Sequence, residues 1–176
     1  MRPFCGPHAF YPAMKIHLNI GSNLGDRRAM LADAVAAIRR AWPRASVSVS
    51  EPVESEPWGY DSPHPFLNIG VMLVLPAPQQ PEAVLDTLQA IERTLGHGAP
   101  HRNADGSYRD RLIDIDLIAV DTLVVDTPDL VLPHPRMHLR EFVLRPMCEV
   151  WPGWRHPLLG LTPAEMAALA ARQQRF

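Results

Sequence analysis

The sequence predicts an α+β fold, with a ferredoxin-like β-α-β-β-α-β core, an antiparallel sheet and C-terminal helices that complete α/β/α layers. Three observations predict it. Strand-like and helix-like hydrophobic periods follow one another in that order. Two further helical stretches close the chain with no strand between them. And 176 residues suit one domain, long enough to bury a core without disulfides or a structural metal.

Lys15 to Ile20 reads as the first strand, with Ile16, Leu18 and Ile20 on one face. The turn-rich link Gly21-Ser22-Asn23-Leu24-Gly25-Asp26 follows, and Ser22, Asn23 or Asp26 is suited to cap a helix. That helix runs from about Asp26 to Ala41 on Leu31, Val35 and Ile38, and Pro43 stops it. Val47, Val49 and Val53 mark a second strand over Ser46 to Glu54. A loop from Ser55 to Pro65 carries Pro57, Pro63 and Pro65. Leu67 to Leu75 is a third strand, rich in Val, Ile and Leu. Pro81 opens a second helix that reaches about Leu95 through Val84, Leu88 and Ile91. Gly96 to Arg111 is a polar loop, and Leu112 to Val120 is the fourth strand, extended into a hairpin at Leu123 to Val125. Phe142 to Val150 and Thr162 to Ala171 are the closing helices. Loops as long as 55–65 and 96–111 are more often functional than accidental.

The net charge of −2 asks for neither nucleic acid nor an anionic membrane surface. No apolar run approaches the roughly 18 residues of a membrane span. Cys5 and Cys148 form no disulfide framework and no zinc spacing, so a reduced cytoplasm is the expected location. Residues 1–14, with three prolines, are expected to be a disordered extension ahead of a single domain over 15–176.

The chemistry is expected on the fourth strand. Alternation places Asp114 and Asp116 on one face, while Ile113, Ile115 and Leu117 point into an apolar layer. Two carboxylates that close repel each other and resist desolvation unless a cation intervenes. Magnesium suits this, because it takes one or two carboxylates and fills its remaining positions with water and phosphate oxygens. Arg102, Arg109 and Arg111 precede the strand, and His134, Arg136, His138 and Arg140 follow it. Guanidinium forks match phosphate geometry, so acids between basic clusters point to a metal–polyphosphate site. Phe66 and Asn68 share a face at the start of the third strand, where an aromatic plane beside an amide can hold a flat heterocycle and read its edge. Trp58 and Phe142 offer further stacking surface. Gly21 to Gly25 lacks the Lys-Ser/Thr of a Walker loop and the third glycine of a dinucleotide fingerprint. Pro135 breaks the helical spacing that His134 and His138 would need for zinc.

Taken together, these residues resemble the 6-hydroxymethyl-7,8-dihydropterin pyrophosphokinase family of folate biosynthesis, over about Ile16 to Leu169. The resemblance rests on Gly21 to Asp26, Pro57-Trp58-Gly59, Phe66-Leu67-Asn68, Arg111-Leu112-Ile113-Asp114-Ile115-Asp116-Leu117 and Pro133-His134-Pro135-Arg136-Met137, with Arg140 and Phe142. It implies transfer of the terminal pyrophosphoryl group of ATP to the pterin hydroxymethyl oxygen, leaving AMP. It implies two magnesium ions held by Asp114 and Asp116, with Arg111 and Arg140 as catalytic cations. Gln89, Glu92, Tyr108, Arg111, Leu117, His134 and Arg140 would form the ATP side. Ser55, Trp58, Phe66, Asn68 and Phe142 would form the pterin pocket, the ring lying between Phe66 and Phe142. ATP and the hydroxymethyl dihydropterin would be the small-molecule partners, with neither nucleic acid nor membrane, and the chain is expected to be a monomer. The chain departs from the family's aromatic-Gly-Pro-Arg approach to the acid strand, reading Tyr108-Arg109-Asp110-Arg111, and Glu56 replaces a proline common in the pterin loop. Two other readings compete: a ligand-binding ferredoxin-like regulatory module, and a metal-dependent phosphohydrolase.

Overall fold

A computed structural model describes residues 12–96 and 109–173. Of the extension expected over 1–14, residues 1–11 lie outside the described residues, as do Arg102 and Tyr108. Met14, however, is buried and already belongs to the first strand, because it packs into the core opposite Leu75. The elements are β1 (Met14–Ser22), α1 (Arg27–Ala41), β2 (Ser46–Val49), β3 (Val53–Ser55), β4 (Phe66–Leu75), α2 (Pro81–Leu95), β5 (Asp114–Val120), β6 (Val125–Asp126), β7 (Val131–Leu132), α3 (Glu141–Val150) and α4 (Pro163–Gln173). A 3-10 turn, Met137–Leu139, leads into α3.

The main sheet has the order β2-β4-β1-β5, with β3 also paired to β4 and every pairing antiparallel. This is the ferredoxin-like arrangement that the element order predicts. The strand expected over 46–54 is two strands, because β2 and β3 meet β4 in different registers. Val49 faces Val71 while Val53 faces Asn68, so the chain uses one more residue than β4 over that interval. Ser50 absorbs the offset. Its N–H donates to Gly70 O at 2.9 Å and its Oγ accepts from Gly70 N–H at 2.9 Å. β5 is not extended into a hairpin over Leu123 to Val125: Val125 pairs instead with Leu132 in the separate short β6–β7 ribbon, a partner supplied by the later segment.

Alternation splits the core in two. Ile16, Leu18 and Ile20 of β1, with Ile69, Val71 and Leu73 of β4 and Ile115 and Leu117 of β5, pack under α1 and α2. On the opposite face, Ile118 and Ala119 pack with Val143, Leu144 and Met147 of α3 and Met166 of α4. Ile118 and Ala119 are neighbours in sequence yet share this core. The β1–β5 register slips between His17 and Leu18, which turns both residues toward α3. Asp26 caps α1, its carboxylate accepting from Ala29 N–H at 3.0 Å, so of the three capping candidates Asp26 fills the role.

Gly70 sets how closely α3 approaches the sheet. A Cβ there would lie 2.7 Å from Pro146 Cβ, 3.1 Å from its carbonyl carbon and 3.0 Å from His17 Cε1. Neither the helix backbone nor a fully buried imidazole has room to give. Gly70→Ala is therefore expected to cost about 1–3 kcal/mol of stability, measured by urea unfolding. A loss below about 0.5 kcal/mol would show that the contact is not tight.

Candidate active site

The register aligns the polar side chains of the α3-facing sheet surface in rows. Gly21 pairs with Asn68 on one side and with Asp114 on the other. Asn19 pairs with Gly70 and with Asp116. Asn68, Asp114 and Asp116 are thus brought to one face across β1, and Gly21 leaves the gap between them open. A Cβ on Gly21 would stand 2.9 Å from Asn68 Oδ1 and 3.3 Å from Phe66 Cδ1.

Each carboxylate has an arginine beside it. Arg111 Nη1 donates to Asp114 Oδ1 at 2.8 Å, and Arg140 Nη1 lies 3.6 Å from Asp116 Oδ2. These cations do not remove the strain at Asp116. Burial and the Asp114 charge raise its carboxyl to about 7, against the pull of Arg140 and Arg111. His134 is shifted the other way. Burial, then the neighbouring Arg140 charge, lower it to about 4, so its imidazole is neutral at pH 7. Its Nδ1 accepts from Arg136 N–H at 3.2 Å, which leaves the proton on Nε2.

Two depressions meet at these groups. The first holds Ser55, Trp58, Phe66, Asn68 and Phe142, the expected pterin set, together with Arg111 and Arg140. Asn68 Nδ2 donates to Ser55 Oγ at 3.0 Å and to Val53 O at 3.3 Å, which fixes the amide. Arg140 lies over both Trp58 and Phe142, at 4.7 and 5.8 Å from the ring centroids, and Arg111 lies 5.9 Å from that of Phe66. The second depression holds Gln89, Glu92 and Leu117. Asp114, Asp116 and His134 line both depressions.

Two of the expected nucleotide-side residues also serve the fold. Glu92 Oε1 accepts from Ile115 N–H at 2.7 Å and ties α2 to the outer strand β5. Leu117 is 5% exposed and belongs to the core. Arg109 is exposed at the approach to β5.

Several further residues join the site only in the fold. Asn19 lies on the floor of the first depression, 4% exposed, and its Oδ1 has no partner among the described residues. His17, one step along the same face, is fully buried with both ring nitrogens unpartnered among the described residues, and burial lowers it to about 3. In β1 the alternating His17, Asn19 and Gly21 are the sequence signal of a second buried face, opposite Ile16, Leu18 and Ile20. Tyr60 lines the first depression, and Asp129, Leu130 and Val131 line the second. Nothing in the local sequence placed that last segment beside β5.

The donor set agrees with magnesium bound together with phosphate. Asp116 is a half-buried carboxylate held above its usual range by desolvation and then by the Asp114 charge, and a cation would relieve both. Among the described residues no group of three or more His, Cys, Asp and Glu side chains gathers around one point. A cation here would therefore lean on substrate oxygens, as magnesium does.

A ferredoxin-like sheet with an acid pair between two arginines, and a substrate depression on either side of it, defines a phosphate-transferring enzyme. The sequence profile of 7,8-dihydro-6-hydroxymethylpterin-pyrophosphokinase (HPPK) matches residues 17–152. A 2-amino-4-hydroxy-6-hydroxymethyldihydropteridine pyrophosphokinase of Porphyromonas gingivalis is 41% identical over 143 residues, which cover 81% of this chain and 93% of that relative. One from Bacillus subtilis is 33% identical over 134 residues, covering 76% of each. Among solved structures, an HPPK-DHPS protein of Plasmodium falciparum shares the fold with a TM-score of 0.68 at 11% identity, over 93% of this chain. The chain spans 44% of that longer protein. The chain belongs to the HPPK family. No helix among the described residues is long and apolar enough to cross a membrane.

The raised Asp116 carboxyl makes cation binding pH-dependent. Below about pH 7 a proton competes for the site, and above it the carboxylate is charged and repelled. Thermal stabilisation by magnesium with an ATP analogue is expected to be larger at pH 8 than at pH 6. In Asp116→Asn that pH difference should vanish, whereas a difference of the same size in the variant would remove Asp116 from the cation site.

Proposed function

We infer that the chain transfers the β,γ-pyrophosphoryl group of ATP to the hydroxymethyl oxygen of 6-hydroxymethyl-7,8-dihydropterin, giving AMP and the pterin diphosphate in folate biosynthesis. One observation carries this reading beyond family membership: the two depressions share Asp114, Asp116 and His134. Two substrates bound on either side would bring a hydroxyl and a phosphorus together at that wall.

The pterin ring would lie between Phe66 and Phe142, in place of the arginine side chains that now rest on those faces. The Asn68 amide, held by Ser55 and Val53, would read its edge. Ser55 and Trp58 would close the same side. ATP would take the second depression, with Gln89, Glu92 and Leu117 beneath the nucleotide; Tyr108 is a further candidate for the ATP side. Asp114 and Asp116 would hold the expected pair of magnesium ions. When bound, these supply charge neutralisation of the polyphosphate and acidify the attacking hydroxyl.

Attack on the β-phosphorus needs in-line placement and stabilisation of spreading negative charge more than a strong base. Arg111 and Arg140 would answer that charge from the pterin side. The neutral His134, with its proton on Nε2, would donate to a phosphate oxygen without repelling the neighbouring arginines. The aromatic walls would exclude water that would otherwise hydrolyse ATP. The chain would act as a monomer, as one domain over 15–176, in the cytoplasm. The regulatory-module reading leaves the acid pair and the arginines unused, and the phosphohydrolase reading leaves the aromatic depression unused.

Purified protein with magnesium, ATP and the hydroxymethyl dihydropterin is expected to release AMP. ADP as the sole nucleotide product would refute pyrophosphoryl transfer, and phosphate release without pterin would favour a hydrolase. Asp114→Ala and Asp116→Ala should each lower kcat at least about a thousandfold while circular dichroism stays unchanged. Near-normal turnover in either would remove that residue from the reaction.

A further inference from the structure

Asp110 immediately precedes Arg111, where the approach to β5 departs from the family pattern. Its carboxylate collects four side chains. Oδ1 accepts from Asn23 Nδ2 at 2.7 Å and from Tyr60 OH at 3.1 Å. Oδ2 accepts from Ser62 Oγ at 2.8 Å and pairs with His64 Nδ1 at 2.7 Å. Burial opposes the charge, yet the hydrogen bonds from Ser62, His64, Asn23 and Tyr60 together outweigh it and hold the carboxyl down at about 2. The side chain is 22% exposed, so these bonds are partly shielded from water.

Three segments far apart in sequence meet there: the turn after β1, the loop after β3 and the approach to β5. Asn23 carries the connection onward to the site. Its Oδ1 accepts from Arg111 N–H at 2.8 Å, and its own N–H donates to Arg111 O at 3.2 Å. Arg111 in turn reaches Asp114. On the loop side, Trp58 lies two residues before Tyr60, and the Arg140 guanidinium rests on its ring. Arg140 reaches Asp116. The rim of the first depression is therefore a closed circuit from Asp114 through Arg111, Asp110, the loop, Trp58 and Arg140 to Asp116. Asp110 is the point at which the loop joins it. The far end of the loop is held separately, by Arg27 Nη1 donating to Pro65 O at 2.8 Å.

We propose that Asp110 is a positioning residue for pyrophosphoryl transfer: it clasps the 58–65 loop to the approach of β5 and so shapes the pterin side of the site. The second depression contains neither Asp110 nor any residue of that loop. Loss of the clasp therefore weakens pterin capture and leaves ATP binding intact. The inference rests on the pyrophosphokinase reading. Failure of that reading shows as no AMP from the unsubstituted chain. Failure of the clasp shows as an Asp110→Ala chain that makes AMP with an unaltered pterin KM.

The test compares Asp110→Ala with the pair Ser62→Ala/His64→Ala, which removes only the Oδ2 partners. Asp110→Ala is expected to raise the pterin KM at least about tenfold, with kcat within about threefold and the ATP Kd within about twofold of the unsubstituted chain. Hydrogen exchange over 58–65 should quicken in both variants. The Ser62/His64 pair should shift KM in the same direction by less, and adding it to Asp110→Ala should change little, as expected for groups acting through one carboxylate. A pterin KM within about twofold of the unsubstituted value in Asp110→Ala would overturn the proposal. So would equal weakening of pterin and ATP, which marks general loss of structure. If Asp110→Ala does not fold, the Ser62/His64 pair decides: unchanged pterin KM and unchanged exchange overturn the proposal.

Discussion

The organising constraint is electrostatic. Two carboxylates two residues apart on one strand must share a face, and here both are half-buried. Desolvation, with their mutual repulsion added, lifts Asp116 well above an ordinary carboxyl even with Arg140 and Arg111 nearby. A fold that keeps such a pair holds part of its own destabilisation at one spot, and a divalent cation with its phosphate ligands removes it. The neighbouring features follow from the need to admit that ligand. The arginines stand beside the acids on the wall shared by the two depressions, and His134 is kept neutral among them.

The sheet makes room for substrate by leaving out side chains. Gly21 stands between Asn68 and Asp114, where a Cβ would crowd Asn68 and Phe66. The same omission at Gly70 lets Pro146 and α3 press onto the sheet beside the site. Packing and site geometry are thus one problem. Gly70 sets the helix that carries Phe142, and Gly21, on the neighbouring strand and the same sheet face, keeps the space beside Asn68 open.

Much of this was legible from residues alone. The periods of Ile16-Leu18-Ile20 and of Val84-Leu88-Ile91, with Pro43 and Pro81 as boundaries, place β1 and both helices of the first layer within a residue or two. Strand alternation alone puts Asp114 and Asp116 on one side. What escaped depends on register and distance. The break at Ser50 arises from an offset against β4, which no local pattern carries. His17 and Asn19 look like a solvated face until α3, encoded more than a hundred residues later, covers it. Asp110 reads as one acid among several, and only the fold shows that Asn23, Tyr60, Ser62 and His64 converge on it. The motifs identify which chemistry is present. The assembly of the rim comes from tertiary contacts.

The central claim is that the acid pair binds a cation jointly with the nucleotide. Manganese titration followed by electron paramagnetic resonance, with and without a non-hydrolysable ATP analogue, tests it most directly. Linkage requires that if the cation bridges protein and nucleotide, each tightens the other. The account predicts that the analogue strengthens manganese binding by the unsubstituted chain beyond its own affinity for the ion, and that Asp114→Asn loses this gain. Manganese affinity that is the same with and without the analogue, or a gain that persists in Asp114→Asn, would contradict it.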